Sequence, residues 1–571
     1  MLTLLEKWSL GLQLITLGLL AFLSQGPQVE PQFVLSAMLL WVTAIAMGAL
    51  CDWRIIQQEE DRQEWLINHS LELLPLFLAP VLMLVHLEWI LLLVARQLIA
   101  AGRLIHRANW VSQIIGFYVK RPAQLMAMSF VVLIGLGTLL LMLPAATTAN
   151  GSLHFLPALF TATSASCVTG LVVLDTPKDF TLFGQWIILF LIQIGGLGIM
   201  TLSSFILWLM GRKLGIQSRS ALAEILDESK PNNLFRLIRV IVLATFATEL
   251  AGAILLFFRW YDGTKSFAYT AFLSLFHSVS AFCNAGFALW SSSLTPFRAD
   301  WVVNLTIMTL ILAGSLGFPV VLSLIPVRTK KPRTVKLPWY RRLRVYISKL
   351  PVNTKVVLVA QPFLVLTAFL GFFLLEQSNS LKGLPLAEQI LASLFQSVTL
   401  RTAGFNTVDF AQLGHATLLM MMVWMFIGGC SAGTAGGVKV NTIAVLLASL
   451  RSMMRGRNEV EVFGRELPYP TIRRAIVIFF TFILLLLLGS FALFIVQPNL
   501  PFFKVLFEAT SALGTVGLTV NTTNLLNPWG QFIIIFLMFV GRIGPLTVAL
   551  AIGQRDSTGQ YRYPRGRIQV G

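Results

Sequence analysis

One short sequence block occurs four times in the chain, and this repetition limits its possible folds more than any other feature. Each copy has a Leu-Phe pair, a Ser or Thr four residues after the Phe, and then a glycine followed by Leu or Phe. The glycine follows the leucine by eleven positions in three copies and by ten in the third. Four copies in register indicate one unit repeated four times, which can surround a single axis. The copies are Leu159-Phe160…Ser164…Gly170-Leu171, Leu275-Phe276…Ser280…Gly286-Phe287, Leu394-Phe395…Thr399…Gly404-Phe405 and Leu506-Phe507…Ser511…Gly517-Leu518.

The composition places these units in a membrane. Hydrophobic residues make up 56% of the 571 residues and charged residues only 12%, and the mean hydropathy is +0.77. These values are untypical of a soluble chain of this length. Apolar runs of about 20 residues recur, which is the length that crosses roughly 30 Å of hydrocarbon as a helix. We therefore predict an all-α integral membrane protein.

The positive net charge of +18 follows from membrane topology rather than from a nucleic-acid partner. Most Lys and Arg residues lie in five segments, which by the positive-inside rule face the cytoplasm and include the C-terminus. We predict a multi-pass protein of the plasma membrane that binds no nucleic acid. The basic segments are 96–121, 212–239, 328–355, 451–474 and 555–567. The segments that alternate with them contain only Lys178, Arg259, Lys265, Arg298, Lys382 and Lys504.

The apolar runs divide the chain into an N-terminal extension and four units. Residues 1–115 lack the block and have apolar runs for two or three helices. The predicted units are 116–230, 231–345, 346–465 and 466–571, the last with a short cytoplasmic C-terminus. Each has a span, a short re-entrant helix and a second span, so we expect four span–pore-loop–span repeats around one central pore. The paired spans lie near 124–144 and 185–209, 240–258 and 301–325, 356–375 and 416–449, and 475–496 and 529–552.

The short helices begin near His154, Tyr269, Leu386 and Pro501 and end just before the glycine. About 12 residues give roughly 18 Å of helix, which is half a crossing. Such a helix directs the negative end of its dipole to the axis, which favours a cation there.

The tetrapeptide that ends at each glycine is the candidate selectivity filter. None of the four contains a carboxylate, so we expect backbone carbonyls to replace the water of a bound potassium ion. Glycine in fourth place permits backbone conformations that other residues rarely adopt. Small residues that serve only close helix packing are the alternative for any single copy, but four aligned copies favour the filter. The tetrapeptides are Cys167-Val168-Thr169-Gly170, Cys283-Asn284-Ala285-Gly286, Arg401-Thr402-Ala403-Gly404 and Gly514-Thr515-Val516-Gly517.

With VTGL, NAGF, TAGF and TVGL at these glycines, residues 116–571 resemble the Trk/Ktr/HKT potassium transporters, and bacterial KtrB-type subunits most closely. The resemblance implies that Gly170, Gly286, Gly404 and Gly517 are the filter glycines. In sodium-preferring HKT members the first is serine, so Gly170 implies potassium passage. The resemblance also implies a homodimer on a ring of cytosolic nucleotide-binding subunits (KtrA-like). It implies no cofactor besides the transported potassium, and leaves sodium dependence open.

A glycine-rich stretch in the third unit is the candidate gate. Half of its ten residues are glycine, each costing about 1 kcal/mol against alanine in a helix, so we predict a broken helix with a mobile loop. A packing face with the Gly429/Gly433 pair is the alternative. In the resembled family the matching segment is an intramembrane gate loop beneath the filter. The stretch is Gly428, Gly429, Cys430, Ser431, Ala432, Gly433, Thr434, Ala435, Gly436 and Gly437.

Ionisable residues within the apolar spans are further candidates. Arg542 lies 25 residues after Gly517, and a fixed cation there would oppose cation flow and could hold the glycine-rich stretch closed. Snorkelling to the membrane surface is the alternative. Lys439 is a weaker candidate for the same role. We also expect Arg401 to pair with Glu508, because either charge buried alone would be costly.

Other classes of function fit less well. A proton- or sodium-coupled secondary transporter typically has inverted halves with ionisable residues at the membrane midplane, whereas these four repeats have one sense. An enzyme needs a cluster of catalytic groups, but the six histidines are scattered and the chain has no HExxH or GxSxG motif. A purely structural subunit has no need of four carboxylate-free glycine segments. We therefore predict potassium-selective uptake, with a sodium-permeable transporter as the alternative.

Overall fold

A computed structural model describes residues 122–148, 151–209, 234–263, 266–324, 346–431, 433–544 and 547. The described chain is almost entirely helical, and one order of elements recurs in it: a long helix, a short helix and a further helix. The first stretch contains α1 (Pro122–Leu141), α2 (Phe155–Ser166), α3 (Thr176–Asp179) and α4 (Leu182–Leu209). The second contains α5 (Leu234–Trp260), α6 (Phe267–Phe282), α7 (Trp301–Ser315) and α8 (Phe318–Leu324).

The third stretch contains α9 (Val352–Glu376), α10 (Leu386–Thr399), α11 (His415–Phe426) and α12 (Val440–Met454). A two-stranded antiparallel hairpin, β1 (Glu461–Val462) and β2 (Arg465–Glu466), leads to the fourth. That stretch contains α13 (Tyr469–Val496), α14 (Phe502–Gly514) and α15 (Pro528–Ile543). Single 3₁₀ turns lie at Pro144–Ala146, Thr295–Phe297, Phe410–Gln412 and Thr523–Leu525.

Several described helices are suited to the hydrocarbon of a membrane, so the protein is a multi-pass membrane protein. Three are long and apolar enough to cross by length and composition: Ile241–Trp260, Val352–Glu376 and Tyr469–Val496. The bent pair α7 and α8 makes a fourth. The predicted N-terminal extension 1–115 and the end of the chain beyond 547 lie outside the described residues, and the predicted unit boundaries stay predictions.

Polar side chains and prolines mark where helices begin. The Asp300 carboxylate accepts from the amides of Val302 and Val303 at the start of α7, and Asn527 caps α15 through the amide of Gly530. Such caps satisfy amides that have no partner inside the helix. Pro351, Pro385, Pro468 and Pro501 directly precede α9, α10, α13 and α14. The short helices α10 and α14 therefore begin within one residue of the predicted starts.

The predicted span at 301–325 is bent rather than one straight helix. The helix ends at Ser315, and α8 continues at an angle of 99° to α7. Gly317 has φ +82°, a left-handed conformation that ends helices, and Pro319 occupies the first turn of the next helix, where its missing amide hydrogen costs nothing. In the sequence, the glycine followed two residues later by a proline already indicated that the helix would break here.

The four short helices α2, α6, α10 and α14 lie at the centre of the fold. Each is almost fully buried along its second half. The helices on either side of them in the chain pack around them; α1 and α4 pack against α2, for example, and α5 and α7 against α6. One phenylalanine of each repeated block, Phe160, Phe276, Phe395 and Phe507, is completely buried. The Leu-Phe pair thus anchors each short helix in the core.

Candidate functional site

The four tetrapeptides share one backbone conformation. In each, the second residue has a positive φ although it is not glycine: Val168 56°, Asn284 60°, Thr402 65° and Thr515 48°. The φ of the glycine in fourth place is also positive: Gly170 94°, Gly286 72°, Gly404 81° and Gly517 88°. A left-handed conformation at β-branched Val or Thr is strained by about 1–3 kcal/mol and persists only where the surroundings impose it. The sequence indicated the glycines but gave no sign of the second position.

Hydrogen bonds from the repeated block impose this conformation. The amide of the third residue donates to the backbone carbonyl of the block's Ser or Thr in all four copies: Thr169 to Ser164 (2.8 Å), Ala285 to Ser280 (2.7 Å), Ala403 to Thr399 (2.9 Å) and Val516 to Ser511 (2.8 Å). Three of these bonds span five residues, whereas the Ala403–Thr399 bond spans four. The third copy therefore keeps the same bond despite its shorter Leu-to-Gly spacing.

In three copies the hydroxyl group of the block's Ser or Thr makes a second hydrogen bond to the segment after the short helix. The Ser164 hydroxyl accepts from the amide of Gly170 at 3.1 Å. The hydroxyls of Ser280 and Thr399 donate to the carbonyls of Phe287 at 2.8 Å and Phe405 at 2.6 Å, directly after the glycine. The recurring position of the Ser or Thr in the block thus has a local structural reason: its hydroxyl bonds the end of the short helix to the segment at and after the tetrapeptide glycine.

The four glycines form a closed ring. A Cβ built on Gly170 would lie 3.1 Å from Cα of Gly286, and one on Gly286 would lie 2.8 Å from Cα of Gly404. A Cβ on Gly404 would lie 3.4 Å from Cα of Gly517, and one on Gly517 would lie 3.0 Å from Cα of Gly170. The nearest atom in each case is the carbonyl oxygen of the third residue of a neighbouring tetrapeptide: Ala285, Ala403, Val516 and Thr169 respectively. Backbone carbonyls therefore surround the ring, and no side chain fits there.

A cavity of about 420 Å³ opens on one side of this ring. All four glycines line it, together with hydroxyl and amide side chains such as Thr176, Asn406 and Thr519. Among the described residues, its charged lining residues are Asp175, which also pairs with the exposed Lys178 at 3.2 Å, and Asp409, and no Lys or Arg lines it. Clefts lined by charge of one sign raise the local concentration of the opposite ion, so this cavity suits the entry of cations.

Residues 427–439 interrupt the helical path between α11 and α12, and we call them the interrupting loop. The helix ends at Phe426 and resumes at Val440, which confirms the predicted break. The two ends of the loop meet and run parallel, because the amide of Gly428 donates to the Val438 carbonyl at 3.0 Å and that of Val438 to the Phe426 carbonyl at 3.1 Å. Ala432 lies outside the described residues, so the structure places the other nine residues of the glycine-rich stretch.

The interrupting loop lies on the side of the tetrapeptides opposite the cavity. The Thr434 hydroxyl donates to the Phe282 carbonyl at 3.2 Å, and the amide of Gly436 donates to the Thr402 hydroxyl at 3.2 Å. A Cβ on Gly436 would collide with the Thr515 hydroxyl. The loop thus touches the first half of the tetrapeptides, while the cavity touches their final glycines.

Arg542 joins the interrupting loop to the first stretch of helices. One guanidinium nitrogen donates to the Thr434 carbonyl, and the other donates to the Gly195 carbonyl of α4 at 2.7 Å. The side chain is 3% exposed, and among the described residues no carboxylate pairs with it. A snorkelling arginine would hold its head group in water, and this one does not. Lys439, the last residue of the interrupting loop, donates to the Ala435 carbonyl within it at 2.5 Å.

The expected pair of Arg401 and Glu508 is wrong. Arg401 is fully buried and donates to the Trp424 carbonyl at 3.1 Å. Glu508 instead accepts from the hydroxyls of Thr519, at 2.8 Å, and Thr523. These threonines follow the fourth tetrapeptide, so the carboxylate is satisfied within its own unit and turns away from the third. Neighbours around a ring need not place their side chains toward each other.

Two contacts of the second tetrapeptide were not expected from the sequence. The Asn284 amide donates to the Arg401 carbonyl at 2.9 Å and so links the second and third tetrapeptides. Glu249, a buried acid in α5 without an evident partner in the sequence, accepts from the Cys283 thiol at 3.8 Å. Both contacts join residues more than thirty positions apart, and the sequence carried no signal for them.

Comparisons with known proteins give a consistent set of relatives. The family described as TrkH, cation transport protein, matches residues 93–558. Ktr system potassium uptake protein B of Bacillus subtilis is 39% identical over 458 residues, which cover 79% of this chain and 97% of that protein. The protein of the same name from Vibrio alginolyticus is 38% identical, covering 72% of this chain and 88% of its own.

Two further relatives extend the comparison. Potassium/sodium uptake protein NtpJ of Enterococcus hirae is 34% identical, covering 79% of this chain and 97% of that protein. The crystal structure of the potassium transporter TrkH from Vibrio parahaemolyticus superposes with a TM-score of 0.62 and covers 85% of this chain and 97% of that one. At 18% identity the latter likeness establishes the fold.

Proposed function

The chain belongs to the TrkH family of cation transport proteins, and we propose that it takes up potassium through a channel-like path along the axis of the glycine ring. In this proposal the four span–pore-loop–span repeats surround that axis. The observation that carries the proposal is the closed ring, in which four glycines exclude every side chain and each lies against a neighbour's backbone carbonyl. Carbonyl dipoles can replace the water shell of potassium.

The direction of the path follows from the surroundings of the ring. Cations would collect in the cavity that contains Asp175 and Asp409, pass the four tetrapeptides and meet the interrupting loop. The C-terminal ends of the short helices face the tetrapeptides and add negative potential there. Under the positive-inside assignment the cavity faces the outside of the plasma membrane and the C-terminus faces the cytoplasm.

The interrupting loop is the proposed gate. It lies directly against the tetrapeptides, and Arg542 holds it to α4. Residues Gly428–Gly437, Lys439 and Arg542 therefore form the gating element of the proposal. The positive charge of Arg542, without a carboxylate partner among the described residues, also opposes the passage of a cation close by.

Potassium is the proposed ion, and sodium is the alternative. The relatives from Bacillus subtilis and Vibrio alginolyticus are named potassium uptake proteins, whereas the Enterococcus hirae relative is named a potassium/sodium uptake protein. Glycine at position 170 favours potassium, because serine stands there in the sodium-preferring members of the resembled family.

Partners belong to the proposal as well. The name "Ktr system" given to two relatives describes one component of a larger system. We propose a homodimer on a ring of cytosolic nucleotide-binding subunits (KtrA-like), which the basic cytoplasmic loops would face.

The ring is tested by a matched pair of glycines. Gly404 and Gly383 both have φ +81°, but a Cβ on Gly404 would lie 2.7 Å from the Val516 carbonyl oxygen, whereas one on Gly383 meets nothing within 4 Å. Gly404→Ala and Gly383→Ala therefore both place a side chain at the same positive φ and differ in what they do to the ring.

Rubidium uptake by the two purified variants in liposomes gives the readout. We expect Gly404→Ala to lower uptake by about tenfold or more, which corresponds to about 1.4 kcal/mol of added barrier, and Gly383→Ala to retain it. Size-exclusion profiles establish that both variants are folded. Equal uptake by the two variants would refute the ring as the transport path.

A further inference from the structure

A basic cavity of about 510 Å³ lies where α9, α12 and the β hairpin meet. Val356, Val359 and Ala360 line it from the first three turns of the candidate span Val352–Glu376. The cavity therefore lies close to one surface of the membrane, at the depth of lipid head groups. Its charged lining residues are Arg451, Arg455, Arg457, Glu459 and Glu461.

The charges of this cavity are not balanced. Arg457 pairs with Glu461 at 3.1 Å. Arg451 and Arg455 are exposed and have no carboxylate partner among the described residues. Two guanidinium groups thus face the single remaining carboxylate of Glu459, and guanidinium matches the geometry of phosphate oxygens.

An apolar cavity of about 670 Å³ adjoins the basic one. Phe479, Phe480 and Ile483 line it from the middle of the candidate span Tyr469–Val496, which places it at hydrocarbon depth. Thr510 is its one polar lining residue, and Leu447 of α12 borders both cavities.

The face of α12 between the cavities is uncovered by the described part of the chain. Leu447 is 61% exposed, Leu450 56% and Met453 77%. A row of large apolar side chains beside free arginines is typical of helices at a membrane interface.

We infer that the two cavities together bind one anionic glycerophospholipid. Its phosphodiester lies on Arg451 and Arg455, and an acyl chain passes over Leu447 into the apolar cavity. Phosphatidylglycerol fits best, because its free hydroxyls can donate to Glu459. This site goes beyond the proposed transport function and does not depend on it. A soluble partner protein is disfavoured as the occupant, because half of the site lies within the hydrocarbon.

Native mass spectrometry of the purified full-length protein tests the head-group half. We titrate dioleoyl phosphatidylglycerol and dioleoyl phosphatidylcholine, which share their acyl chains. We expect the glycerol lipid to bind about tenfold more tightly, since each basic residue near anionic lipid contributes about 1 kcal/mol. Arg451→Gln/Arg455→Gln should remove this preference. Arg465→Gln/Arg473→Gln removes the same charge outside both cavities and should preserve it.

The acyl-chain half needs its own variant. Val423 lines the apolar cavity, so Val423→Trp should fill it and weaken binding of the dioleoyl lipid, whereas Leu374→Trp, exposed on α9, should not. Dihexanoyl phosphatidylglycerol should bind far more weakly than the dioleoyl lipid. Equal binding of both head groups, or equal effects of the two arginine pairs, overturns the inference. Loss of dimer without loss of lipid in the Arg451/Arg455 variant also overturns it and assigns the surface to a second copy of the chain.

Discussion

The final helices of the third and fourth stretches have the same place in the chain and different structures. Gly429 and Arg542 each lie 25 residues after a ring glycine. In the fourth stretch α15 remains helical to Ile543, with Gly541 packed against the Leu513 carbonyl. In the third stretch the helix ends at Phe426, and the chain folds back under the tetrapeptides.

The first and second stretches resemble the fourth. Gly195 of α4 packs against the Ser166 carbonyl, and Gly314 of α7 packs against the Phe282 carbonyl. In these three stretches the contacted residue directly precedes a tetrapeptide. One glycine at this depth lets the helix reach past the end of the short helix, although α7 ends one residue after Gly314 and bends into α8. Five glycines in ten residues replace the helix by a loop of thirteen residues, 427–439. The final helices of the first, second and fourth stretches support the ring, and the third stretch supplies the proposed gate.

The largest expected effect comes from removing the element in which the third stretch differs. Deletion of Ser431–Gly436 takes away the residues that lie against the tetrapeptides, and rubidium uptake should rise by about tenfold or more if the loop adds at least about 1.4 kcal/mol to the barrier. Replacement of the same residues by six alanines is the matched control, because it keeps the chain length. Uptake by the folded deletion variant at or below that of the unaltered protein would contradict the gate.

A smaller rise is expected from Arg542→Ala. The substitution removes the bonds to the Thr434 and Gly195 carbonyls, but the loop itself stays against the tetrapeptides, so uptake should rise less than in the deletion variant. In Arg542→Lys the ammonium keeps the positive charge but cannot contact both carbonyls as the planar guanidinium does. This variant therefore separates the effect of the two hydrogen bonds from that of the charge. Arg473→Ala removes an exposed arginine as the control. Reduced protein yield without increased uptake per molecule would indicate a purely structural role for Arg542.

The smallest effect is expected from Thr434→Val. This change keeps the shape and the carbonyl that Arg542 contacts, but it removes the hydroxyl bond to the Phe282 carbonyl at 3.2 Å. A neutral bond contributes about 1 kcal/mol, so uptake should rise a few-fold. Thr367→Val, at a partly exposed hydroxyl bonded within its own helix, should leave uptake unchanged. If both variants behave alike, the loop is not held by Thr434.

Features set by local chain chemistry could be predicted from the sequence. Pro385 and Pro501 fix the starts of α10 and α14, and the glycines of 428–437 fix the break. The bend after Ser315 could also have been found, because Gly317 and Pro319 lie together. The repeated Ser or Thr marked the bond that holds each tetrapeptide, although its role became clear only with the hydrogen bonds.

Features that depend on contacts between units could not be predicted. Arg401 and Glu508 were expected to pair from their neighbouring positions, yet Thr519 and Thr523 satisfy Glu508 within its own unit. The bridge from Arg542 to Gly195 joins residues 347 positions apart. Side-chain direction at such distances follows from packing, which a single sequence does not encode in any local pattern.

Competition for rubidium uptake tests the central claim, a potassium-selective path through the glycine ring, most directly. The purified protein in liposomes should take up rubidium, excess external potassium should suppress the uptake, and equal sodium should have little effect. Gly170→Ser, which adds a side chain at the ring, should narrow the difference between the two ions. Uptake no greater than in protein-free liposomes, or equal suppression by sodium and potassium in both proteins, would contradict the claim.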